Sequence, residues 1–452
     1  MKKSSRVRTV FPFLPGLIIA VHCMETRAAD PALARFATVK QAQIREFAQT
    51  LTNKVPTAVW SFFDAVRVDD WDTATNLFER LQRASGRFAN SAPDDSISPA
   101  LATVIWPPIS EMIGTYEQFH NFDSKWLHRF GSEIIDSIPR GSIYFGGTDP
   151  GRFVISALSE SHSEGKPFFT ITQNQLADGT YLEYLRNIYG KKLYIPTTND
   201  SATAFQNYLE DAQKRQKEGK LKPGEDIRTV NGRVQASGQV SVMEINGLIV
   251  KIIVEKNPDR EFYVEESFPL DWMYPQLSPH GLIMKLHPKR LGSLDPAEIR
   301  KDQAFWKKLT TEAIGDWINE KTSAKELSDF ADRVFLEKNL KSFKGDPAYA
   351  KNEEAQKTFS KLRSSIGGLY VWRAQNAREK SEKMEAQNAA DLAFRQAYAL
   401  CPSSPEAVFR YANLLKDLNR SEDAFLLAKT SLRLDPENTY FKDLVRALNK
   451  AD

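Results

Sequence analysis

The 452 residues hold 61 Lys and Arg against 58 Asp and Glu, a formal net charge of +3, with 41% hydrophobic and 11% aromatic residues. A chain of this length exceeds one ordinary core, so two or three domains are expected, and the composition is that of a globular protein without low-complexity tracts. So small a charge excludes a global electrostatic attraction for nucleic acid.

The first residues read as a leader. Met1 to Arg8 is basic, Val10 to Ala20 is a short apolar run, and Thr26-Arg27-Ala28-Ala29 offers small residues for cleavage. Residues 1–28 are therefore expected to be a signal peptide, and the protein to be exported, periplasmic or extracellular. The apolar run contains two prolines and falls short of the ~20 residues that span a bilayer, so no integral membrane segment is expected after cleavage. Lys2, Lys3, Arg6, Arg8 and Arg27 against Glu25 give this segment +4, so the formal charge becomes −1 without it. Cys23 would leave with the leader, and Cys401 would remain alone. That excludes an intramolecular disulfide and a cysteine-based metal site, and no cofactor or metal is expected.

Residues 29–138 are expected to form a helical domain. Pro56 opens Thr57 to Val66, with apolar positions at helical spacing, and a second helix follows Asp69-Asp70 with Trp71, Ala74, Leu77, Phe78 and Leu81 on one face. This pair is similar to a single degenerate tetratricopeptide repeat. A third helical stretch, Ser98 to Phe119, is expected to break at Trp106-Pro107-Pro108, and a fourth runs from Ser124 to Ile138.

The period changes at Ser142, and residues 139–290 are expected to form an α/β domain. Strands are expected at Ser142 to Gly147, Phe168 to Thr172 and Leu193 to Ile195, alternating with helices at Gly151 to Ser161 and Asp178 to Tyr189. That alternation argues for βαβ units and a mostly parallel, Rossmann-like sheet. A polar helix, Ser201 to Glu218, precedes a hairpin signal at Asn231-Gly232. Val240 to Glu255 reads as an apolar helix, with a hairpin at Asn246-Gly247 as the alternative. Glu261 to Glu265 and Gly281 to Leu286 are further strands.

Residues 291–361 are expected to be a helical connector and 362–452 a repeat segment. Pro405 to Asn438 has the 34-residue length of a tetratricopeptide repeat and resembles its pattern at Ala412, Ala424, Ala428 and Pro436. Ala390, Phe394, Ala397 and Pro402 end a preceding unit in the same way. Its first helix is expected at Leu362 to Gln375, with Lys380 to Ala386 as an insertion and Thr439 to Asn449 as a capping helix. Within this repeat, Phe409, Asn413 and Lys416 are candidates to bind a protein partner.

Gly146-Gly147-Thr148-Asp149, the helix Tyr181 to Leu185 and Asn257-Pro258-Asp259-Arg260-Glu261-Phe262-Tyr263-Val264 resemble the soluble C-terminal region of a bacterial family of multi-pass membrane proteins described as protein O-mannosyltransferase-like. The resemblance covers about a third of the chain and implies a fold and an envelope setting. It implies no transferase activity, which belongs to a membrane portion this sequence lacks. As a whole, the chain is similar to secreted bacterial tetratricopeptide proteins of unknown function.

In an open parallel sheet, ligands sit beyond the carboxyl ends of the strands. The candidate ligand residues there are Gly146, Gly147, Thr148, Asp149 and Arg152 after the first strand, and Asn174, Gln175 and Asp178 after the second; Thr197, Thr198 and Asn199 would follow the third. Such amide, hydroxyl and carboxylate groups suit a saccharide. The structural alternative is that Asp149-Pro150 is an N-cap followed by proline at N1, and that Asn174 and Asp178 are turn residues. No P-loop, nucleophile elbow or paired-histidine motif is present, and His162 is one of several dispersed histidines. Glu265 and Glu266, near Asp271, Trp272 and Tyr274, could form an acid pair with an aromatic platform, but strand alternation places them on opposite faces. The expectation is a non-catalytic interaction or scaffold protein that binds a protein partner through repeat helices. A saccharide-binding or carbohydrate-active α/β protein is the alternative.

Overall fold

A computed structural model describes residues 30–85, 97–159, 161–222, 224–230, 233–266 and 272–449. The expected leader, the Asn231-Gly232 turn and Asp271 lie outside the described residues.

Helix α1 (Pro31–Phe47) starts where Asp30 Oδ1 accepts the Ala32 N–H and Pro31 presets the first helical φ. Its Leu33, Phe36, Ala37 and Ile44 are buried with the hairpin α2 (Thr57–Arg67) and α3 (Trp71–Ala84) and with α4 (Pro99–Asn121). The expected break at Trp106-Pro107-Pro108 does not occur, because α4 runs through both prolines. Burial of Ile105, Ile109 and Met112 outweighs the backbone hydrogen bonds the prolines forfeit. Capped by Asp123, α5 (Ser124–Ser137) leads to the sheet.

Strand β1 (Ile143–Gly146) runs through a π-helical turn, Pro150–Val154, into α6 (Ile155–Leu158) and α7 (Ser161–Glu164). Strand β2 (Phe169–Thr172), α8 (Gly179–Tyr189) and α9 (Thr198–Lys217) follow. An antiparallel pair, β3 (Asp226–Val230) and β4 (Arg233–Ser237), forms its own small sheet, in the register of a two-residue connection. Then come α10 (Gln239–Lys256), β5 (Phe262–Val264), β6 (Leu277–His280) and β7 (Ile283–Leu286).

The main sheet has the order β2-β1-β5-β7-β6 and is mixed. β1 pairs in parallel with β2 and β5, whereas β7 is antiparallel to both β5 and β6. The expected mostly parallel sheet is thus corrected at one edge. There a two-residue connection, Gly281-Leu282, joins β6 to β7, and Gly281 takes a φ of 62° that favours glycine. Pro279 masks β6 in the sequence and is tolerated because the strand is at the edge.

Leu193 to Ile195 is not a strand. Instead, the Asn257 side chain stands in for a neighbouring strand: its Oδ1 accepts the Tyr194 N–H at 2.9 Å and its Nδ2 donates to the Tyr194 carbonyl at 3.0 Å. Asn257→Ala should therefore cost about 1–3 kcal/mol through the unmet backbone groups, read as a lowered urea midpoint with an unchanged slope. The hairpin alternative at Asn246-Gly247 also fails, since both residues are buried within α10 and Asn246 Oδ1 accepts the Ala177 N–H.

The remainder is helical: α11 (Pro296–Ile314), α12 (Ala324–Ala331), α13 (Pro347–Lys351), α14 (Glu353–Asn376), α15 (Lys380–Leu400), α16 (Pro405–Asp417), α17 (Ser421–Leu434) and α18 (Thr439–Asn449). The pairs α14/α15 and α16/α17 are antiparallel hairpins in contact with each other, and α14 also touches β6 and β7. Lys380 to Ala386 is no insertion; it forms the first two turns of a longer α15. One hydrophobic core extends from α5 through the sheet to α18, so the C-terminal helices share their interior with the α/β part. No helix among the described residues is long and apolar enough to cross a membrane.

Candidate functional site

The glycine-rich turn after β1 is an anion cradle filled from within the chain. Gly147 N–H and Thr148 N–H donate to Glu265 Oε2 at 2.6 and 2.8 Å, and the Thr148 hydroxyl donates to Glu265 Oε1. The Gly151 N–H in turn donates to Thr148 Oγ1 at 3.0 Å. Thr148, rather than the expected Asp149, is thus the side chain that caps the turn. Asp149 has helical dihedrals, makes no cap bond and pairs with Arg152, whose guanidinium lies 4.3 Å from the Phe153 ring centroid. A Cβ on Gly146 would come within 2.8 Å of the Gly151 carbonyl oxygen, and one on Gly151 would overlap the Glu265 carboxyl. Both glycines are therefore needed for close approach, but to the protein's own backbone and carboxylate. Asn174 Nδ2 closes the rim by donating to the Gly147 carbonyl at 3.2 Å.

Glu265 and Glu266 follow β5 directly and go to different partners. Glu266 Oε2 lies 3.0 Å from Lys361 Nζ on α14, which ties the rim to the C-terminal helices. Burial raises both carboxyls; for Glu265 it outweighs the donors of Thr148 and Gly147. For Glu266 it outweighs Lys361 and, with the charges of Glu265 and Glu406, lifts the group from 4.5 to about 7. An acid raised on folding holds its proton more tightly in the folded state. Its contribution to stability is full below about 4.5 and is lost as pH rises through about 7. His280 and His287, lowered chiefly by burial, act in the opposite direction below 6.5. The stability of the wild type relative to Glu266→Gln should therefore decline from about pH 5 to about pH 8, as read by urea titrations across that range.

The other sequence-predicted rim residues face a second arrangement. Asp178 caps α8 by accepting the Thr180 N–H at 2.8 Å. With Gln175, it lines a cavity of about 100 Å³ whose walls include Trp106, Glu111, Phe153 and Tyr181. Behind that cavity is a buried polar network. Lys40 Nζ of α1 lies 2.5 Å from Glu111 Oε2, 2.8 Å from Tyr184 OH and 3.1 Å from His162 Nδ1. Tyr184 OH donates to Glu111 Oε2 at 2.7 Å, and His162 Nε2 is 3.2 Å from the Thr170 carbonyl of β2. Burial works to raise Glu111, but His162 and Lys40 together hold it well below the usual carboxylate range. At Lys40, burial prevails over the pull of Glu111 and the ammonium is lowered.

The structure thus joins Gly147, Thr148 and Asn174 around Glu265, and Gln175 and Asp178 around Glu111. Asp149 is set apart from the cradle, and Thr197 is used in the capping box of α9 with Asp200. Tyr274 stacks on Trp372 of α14, with centroids 6.0 Å apart. Sequence reasoning missed the roles of Lys40, Glu111, Tyr184 and Lys361. A charge within an apolar helical stripe, as with Lys40 among Leu33, Phe36, Ala37 and Ile44, was the available signal.

No family model matches the chain, and no curated protein matches it. Among the described residues no cluster of His, Cys, Asp or Glu could hold a metal ion. On α16, Phe409, Asn413 and Lys416 lie at i, i+4 and i+7 and are exposed, Phe409 at 57%.

Proposed function

We propose that the chain is an exported, non-catalytic interaction protein of the cell envelope. A Rossmann-like α/β unit carries tetratricopeptide-type helices, and α16 binds a protein partner. The observation that carries this reading is Phe409, a large apolar side chain left mostly in water on the same face as Asn413 and Lys416. Aromatic anchors flanked by polar groups are common centres of protein recognition. The partner segment that fits would present an apolar side chain to Phe409 and a carboxylate to Lys416. A saccharide at the Gly147–Asp149 turn is less well supported, because the two backbone donors and the Thr148 hydroxyl already serve Glu265.

A photo-crosslinking side chain placed at position 409 is expected to give a discrete protein adduct in an envelope fraction. Lys416→Glu should abolish the adduct while leaving the thermal midpoint within about 1 °C, as for other exposed substitutions. No adduct, or one indifferent to Lys416→Glu, would dismiss this face as the binding surface.

A further inference from the structure

The two extra turns of α15, Lys380 to Ala386, build one wall of a groove absent from a 34-residue repeat. The loop 290–294 forms the opposite wall, and the end of α14 lies between them. The groove has a volume of about 650 Å³, within the range of on the order of 300–1,000 Å³ typical of ligand sites.

Two of its side chains are held in place before any ligand arrives. Trp372 is half-buried and stacked on Tyr274 at an interplanar angle of 14°. Arg373, 7% exposed, is pinned by backbone carbonyls: Nη1 donates to Gly292 at 3.0 Å and Nη2 to Leu277 at 2.9 Å. These bonds fix the Arg373 side chain against the loop and so hold the floor of the groove rigid around Trp372. Around it stand Arg290, Asn376 and Glu382. Arginine only donates, an ionised glutamate only accepts and asparagine does both.

We infer that this groove binds an oligosaccharide, with one pyranose ring packed against the part of Trp372 that lines it. Sugar hydroxyls both donate and accept, so they can use the arginine, the glutamate and the amide together. The apolar face of the ring complements the aromatic one. Three arginines and three glutamates line the groove, leaving no net positive field of the kind that would select a nucleotide or another polyanion. The site is separate from Phe409 and stands whether or not α16 binds a protein.

The full chain should be titrated calorimetrically with chitotriose, a neutral trisaccharide, and with trigalacturonate, an acidic one. Saturable binding of at least one at millimolar concentration is expected, weakened about tenfold or more by Trp372→Ala and by Glu382→Ala. Trp372→Ala also removes the stack on Tyr274. Glu382→Ala, near the start of α15, tests the site without touching the core, and its thermal midpoint should match the wild type. Tighter binding of the acidic sugar would assign a ligand carboxylate to the exposed Arg290 or Arg378, and equal binding would assign a hydroxyl. No saturable heat with either sugar, or binding indifferent to both substitutions, would overturn the inference.

Discussion

Glu265→Ala is expected to destabilise the fold by about 3 kcal/mol, because it strands two backbone N–H groups and a hydroxyl in the interior. Those donors belong to Gly147 and Thr148, and Glu265 is fully buried against them. The change also removes a carboxyl that burial disfavours, which offsets part of the loss. Glu265→Gln keeps the shape and one acceptor oxygen but turns an amide toward remaining donors, so its cost should be intermediate. Gly151→Ala attacks the same contact from the other side, by placing a methyl where the carboxyl sits; overpacking of that kind costs about 1–3 kcal/mol. Urea midpoints at constant slope would rank the three variants. Wild-type stability in Glu265→Ala would show that the turn does not depend on the internal carboxylate, and would return the cradle to the list of ligand sites.

What could be read from the sequence follows from how local each determinant is. The helices α2, α3, α8, α10, α16 and α17 rest on apolar spacing and caps within a dozen or so residues, and each is found near its expected place. β1, β2 and β5 are short apolar runs between turn residues and are likewise found. β6 was hidden by its proline, and Leu193 to Ile195 was misread because strand character depends on a partner. Its partner is the side chain of Asn257, 63 residues away. The rim shows the same division. Glycines at 146, 147 and 151 announce a close approach, but only tertiary structure shows that the approaching group is Glu265, 118 residues from Gly147. The Lys40–Glu111 pair, 71 residues apart, was legible only as two charges out of place on apolar helix faces.

Lys40→Met is expected to cost about 3–5 kcal/mol, the usual penalty for leaving one member of a buried ion pair without its partner. Lys40 is fully buried, and Glu111 keeps its charge because His162 and Lys40 outweigh burial. Without the ammonium, one of the two groups that lower the Glu111 carboxyl is gone, and burial lifts it back toward the ordinary value, with His162 alone opposing. In the wild type, a depressed carboxyl contributes stability above its unfolded value near 4.5 and loses it only as pH falls through the lower folded value. The variant should therefore begin acid unfolding at a higher pH than the wild type. Adding Glu111→Leu removes the stranded charge and should recover most of the loss, since apolar groups of similar volume often replace buried pairs with little cost. A double variant no more stable than Lys40→Met would instead assign the loss to packing around Tyr184 and Phe36, which flank the ammonium. The network spans α1, α4, α7 and α8, so it bolts the N-terminal helices to the α/β part across the seam between two hydrophobic clusters. With the network intact, one calorimetric transition is expected; loosening it should split that transition in two, with the N-terminal helices melting first. A single, merely lowered transition would mean that apolar contacts across the seam, such as α4 on the π-helical turn, carry the coupling by themselves.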